Sequence, residues 1–94
     1  MKIQDDRIPE QKATHNVLII GTDSFMSGWG EAKGGASYAA WACEPKDAPQ
    51  VLDWVESRSD MKRVRVVYGD YRPNSRLCAH LHIYVVDDNH PAKR

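Results

Sequence analysis

Apolar residues form two short runs, alternate with polar ones in two further stretches, and follow a helical period in one segment. "NVLIIG" (residues 16–21) is β-branched and aliphatic and closes on Gly21, which predicts a short buried strand. "ASYAAWACE" (36–44) predicts a second strand. The glycine-rich stretch "GTDSFMSGWGEAKGGASY" between them suggests a hairpin connection long enough to have a job of its own. "KDAPQVLDWVESRSD" carries Ala48, Val51, Leu52 and Val55 on one stripe. Asp47 stands at the N-cap, Gln50 completes a capping box, and Pro49 lies in the first turn, so a helix of about 14 residues is expected, ending near Ser59-Asp60. "KRVRVVYGDYRPNSRLCAHLHIYVVDD" reads as two strands about a turn at 69–75.

The expected fold class is α+β: one four-stranded antiparallel sheet in ββαββ order, with the single main helix on one face. Residues 1–15 are polar, contain Pro9 and show no period, so they are expected to form a flexible arm. Residues 16–88 form the domain, and 89–94 a flexible tail.

Parity within the last two strands locates a candidate site. Leu77, Ala79, Leu81, Ile83 and Val85 share one face; Cys78, His80, His82, Tyr84 and Val86 share the other. A hairpin that sets Tyr68 against Leu77 also sets Arg65 against His80 and Arg63 against His82. The aliphatic face then packs on the helix. The opposite face presents Arg63, Arg65, His80, His82 and Tyr84 together, and nothing in the sequence is left to cover it. This set holds no carboxylate, and an anionic or π-rich partner would relieve the repulsion of its cations. Trp29, among flexible glycines, is a candidate loop anchor, and Arg72 and Arg76 extend the basic surface. Trp41, with small alanines beside it, reads as core.

Charge supports a footprint without naming the partner. Residues 1–57 carry five Lys/Arg and nine Asp/Glu, and residues 58–94 carry eight and four, for no net charge overall. A strongly basic nucleic-acid signature is absent. Two cysteines are too few for a disulfide framework, and no apolar run spans a membrane. No apolar segment follows Lys2, so a cytoplasmic location is expected.

Three chemistries compete for the histidines. His80 and His82, with Cys78 or with His15, His90 or Cys43, could ligate a metal, although the neighbouring arginines oppose a cation. "HLHIYVV" resembles the signature of the histidine-triad hydrolases and transferases, in which histidines alternate with apolar residues. That resemblance implies phosphoryl chemistry on nucleotides with His82 as the attacking residue; Tyr84 stands where the third histidine falls. The third reading, which we favour, is a non-catalytic binding face that needs no cofactor. Its partner is a protein or a second copy of the chain, with nucleic acid as the alternative and no membrane. Size and style are those of effectors carried on mobile elements such as phages and plasmids, among them inhibitors of host nucleases.

Overall fold

A computed structural model describes residues 2–23 and 36–94. In chain order they form strand β1 (Lys2–Asp5), helix α1 (Pro9–Thr14), β2 (Val17–Asp23), β3 (Ala36–Cys43), a short 3₁₀ turn at Pro45–Asp47, helix α2 (Ala48–Glu56), β4 (Met61–Tyr68), β5 (Cys78–Val85) and a closing 3₁₀ turn at Pro91–Lys93. The described strands make one mixed sheet in the order β1-β5-β3-β2-β4. β2 is antiparallel to both β3 and β4, and β5 is parallel to β3 and to β1. The chain is α+β with one main helix, and its sheet is neither four-stranded nor antiparallel throughout.

The expected β2–β3 hairpin pairing forms, with Val17 opposite Cys43 and Ile20 opposite Ala40. The expected β4–β5 hairpin does not. β4 pairs with β2 at the sheet edge, Tyr68 opposite Val17, and β5 lies on the far side of β3. The reason is burial. β2 and β3 are almost entirely buried, so both their edges need partners inside the sheet. A β4–β5 hairpin could pair with only one of those edges and would leave the other open.

Residues expected to form an arm and a tail take part in the fold. β1 pairs in parallel with β5, Lys2 opposite His80 and Gln4 opposite His82. Arg7 closes the following turn by donating to both Asp5 carboxylate oxygens and to the His15 carbonyl; its guanidinium holds the Asp5 carboxyl below the usual carboxylate range. At the other end Ala92 is buried, and Lys93 Nζ lies 3.0 Å from Asp47. Asp47 stands at the N-cap of α2 without a side-chain cap bond and meets Lys93 instead.

α2 is shorter than expected. The Ser57 hydroxyl donates back to the Trp54 carbonyl at 2.6 Å, occupying a group that would otherwise accept from the next turn. Val51 and Val55 are fully buried on Val17, Ile19, Trp41 and Cys43. A second core of Leu18, Ile20, Tyr38, Ala40, Leu81 and Ile83 fills the opposite face. That face is not bare: the connection from β4 to β5 runs with buried Pro73 and with Tyr71 packed on the second core.

Candidate functional site

Parity fails at two places, and the expected site divides between the two faces. In β5, Ala36 of β3 pairs with Cys78 but Ser37 pairs with His80, so one extra residue is accommodated at Ala79. Cys78 therefore turns into the second core while His80 does not. In β4, Ile20 pairs with Arg65 and Thr22 with Lys62, leaving an extra residue at Arg63–Val64. Arg63 takes the left-handed backbone conformation, φ 55°.

Arg65 lies on the second face. Its guanidinium sits 5.2 Å from the Tyr38 ring centroid and 5.9 Å from that of Tyr71, and donates to the Tyr71 hydroxyl and the Arg63 carbonyl. His80, His82 and Tyr84 lie on the helix side. The basic-aromatic face of Arg63, Arg65, His80, His82 and Tyr84 is thus not one surface. Arg72 lines a cavity of about 310 Å³ on the second face with Asp5, Arg7, Lys12, Asp70 and Tyr71, and Arg76 is exposed on the crossover. Trp29 lies outside the described residues.

On the helix side the three residues extend a row of rings. The His90 and Trp54 rings meet edge to face at 5.0 Å, and Trp54 and Trp41 do so at 5.6 Å. Trp41 and Tyr84 stack at 5.6 Å, Tyr84 and His82 stack at 3.9 Å, and His80 follows 6.3 Å beyond, tilted by 55°. Strand register builds the row: Trp41 is the partner of Tyr84 on the adjacent strand, and His82 and His80 follow on alternate positions. His82 Nε2 is 2.8 Å from Asp6 Oδ2, a contact supplied by the chain just after β1. α2 covers the β4-β2-β3 end of this face, and Tyr84 remains 38% exposed beyond it.

Two adjoining cavities make the row a groove. The smaller, about 190 Å³, is lined by Asp23, Ser37, Tyr38, Ala39, His80, His82 and Tyr84. The larger, about 380 Å³, is lined by Asp23, Ala39, Trp41, Trp54, Arg58, Asp60, Tyr84 and His90 among others. Ala39 lies between larger neighbours and belongs to both. Arg58 pairs with Asp60 at 2.9 Å. The hydrogen-bonded contact raises the arginine further and holds the Asp60 carboxyl below its ordinary range. Burial pushes His90 down, which favours its neutral imidazole.

The metal set proposed from sequence is broken up. Cys78 is buried on the far side from His80 and His82, and no group of three or more His, Cys, Asp or Glu is placed to hold an ion among the described residues. Burial raises both thiols, Cys43 to about 11. Sequence reasoning missed Asp6, Asp23, Trp54 and Arg58 as site residues. The four-residue spacing of Trp54 and Arg58 puts them on one side of a helical end and could have flagged that pair. Asp6 reaches the site only through a parallel pairing that no local pattern announces. No family model, curated protein or solved structure matches the chain. No helix among the described residues is long and apolar enough to cross a membrane.

Proposed function

We propose that the protein is a small binding module without catalysis of its own, and that its working surface is the groove along Trp54, Trp41, Tyr84, His82 and His80. The observation that carries this is the continuous row of rings passing from α2 along the sheet to His82, with Tyr84 exposed within it. Rigid aromatic side chains at the centre of a recessed surface are the usual anchors of protein recognition, because they bury large area at low conformational cost. Asp23 and Asp60 line the groove beside Arg58, and Asp6 meets His82 at its margin; this mixed, acid-containing rim disfavours a phosphate backbone and favours a protein segment as the partner.

The test is affinity capture with immobilised wild type, Tyr84→Ala and Arg65→Ala in parallel, followed by identification of what is retained. The expected result is one polypeptide held by wild type and by Arg65→Ala, resistant to moderate salt, and lost with Tyr84→Ala. Loss with Arg65→Ala but not with Tyr84→Ala would move the surface to the other face and end the reading. Retained nucleic acid that washes off as salt rises would replace the partner class.

A further inference from the structure

The wider cavity of the groove is already engaged by a cation, and that cation belongs to the chain. The Arg58 guanidinium lies 5.0 Å from the Trp54 ring centroid and 5.4 Å from that of Trp41. It is paired with Asp60 and lies in the field of Asp23. Asp23, Asp60, Tyr84 and His90 are among the other walls, and about 380 Å³ of space remains beside the arginine. Aromatic rings with carboxylates at their margin attract positive charge, and they do so more strongly where water is excluded. An anionic group in the same place would face both aspartates. The Arg58 side chain is 35% exposed, so it can swing toward water without crossing the core.

We propose that this cavity is an aromatic cation site for a guanidinium or methylated ammonium group on the binding partner, with Arg58 as the tethered occupant that such a group displaces. This rests on the groove being the binding surface and specifies the chemistry of the partner's anchor.

Tetramethylammonium is the probe, with neopentyl alcohol as its uncharged counterpart of similar shape, each titrated by calorimetry and tryptophan fluorescence. Arg58→Ala vacates the rings and is expected to bind tetramethylammonium about tenfold more tightly than wild type, within the range of a partly desolvated cation–π contact. The alcohol should show no such gain, and adding Trp54→Leu should remove the gain for the cation. Arg58→Gln, which keeps much of the side chain's length, is the second variant if circular dichroism shows that Arg58→Ala is unfolded. Equal affinity of wild type and a folded Arg58 variant for tetramethylammonium, or equal gains for cation and alcohol, overturns the proposal. Partner capture by wild type and its loss with Tyr84→Ala are read separately. A groove that keeps its partner dependence but fails the cation test loses only this assignment.

Discussion

His90 ties the end of the chain to the groove through a single protonation state. Its Nδ1 accepts from the Ala92 N–H at 3.1 Å, and its ring rests edge-on against Trp54. An imidazolium has no lone pair left at Nδ1, so protonation breaks the cap as well as charging a half-buried ring. Burial lowers its pKa first; Asp87 opposes this and Arg58 adds to it. The linkage follows from that direction. The unfolded chain takes up its proton near pH 6.5, above the folded value. Stability is therefore complete above about pH 6.5 and falls as pH drops through the folded pKa. Urea midpoints of wild type are expected to decline between pH 7 and pH 5. His90→Asn, which keeps a cap acceptor but cannot titrate, should flatten that part of the decline. An identical slope in both proteins would mean that other groups carry it.

The positions of the elements were largely legible, whereas the two bulges that decide where side chains point were not. Apolar runs marked β2 and β3, alternation marked β4 and β5, and the Val51–Val55 stripe marked α2, because those patterns depend only on neighbouring residues. A bulge depends on the partner strand. Nothing in "RVRVV" announces that Arg63 leaves the extended region, since arginine has no preference for positive φ. Its place on the edge strand β4 suits a bulge, which bends the edge and hinders pairing with another chain. The left-handed conformation costs a non-glycine residue about 1–2 kcal/mol, and glycine loses about 0.4–1 kcal/mol of that relief through its freer unfolded chain. Arg63→Gly is therefore expected to stabilise the protein by roughly 0.5–1 kcal/mol, and Arg63→Val to destabilise it, in urea unfolding. A destabilised Arg63→Gly would remove the bulge from β4.

At the scale of the molecule, pairing was the part that local pattern could not carry. Two consecutive strands with a turn between them look alike whether they meet each other or bracket two others. The site inherited that ambiguity: His80, His82 and Tyr84 do share a face, but Arg65, carried by β4 on the far side of β2, belongs to the other one. The geometry of the β4–β5 connection makes the difference testable. Tyr68 stands in the row of Cys43, since both pair with Val17, and Cys78 stands opposite Ala36 at the other end of β3. With three strand spacings between β4 and β5, the gap is about 27 Å. The ten Cα steps from Tyr68 to Cys78 reach about 33–36 Å when fully extended, and the turn that hydrogen-bonds Leu77 and Cys78 back to the Asn74 carbonyl uses up most of the excess. Deleting Ser75 and Arg76, both exposed, leaves about 26–29 Å and no slack, so cooperative unfolding should be lost or shifted to much lower denaturant. Inserting two glycines at the same point should cost only a few tenths of a kcal/mol, because closure entropy grows slowly with length. In a β4–β5 hairpin the same deletion would leave seven residues where two to five suffice, and stability would barely change. Tolerance of the deletion would therefore restore the hairpin, return Arg65 to the side of His80, and dissolve the groove on which the proposed recognition depends.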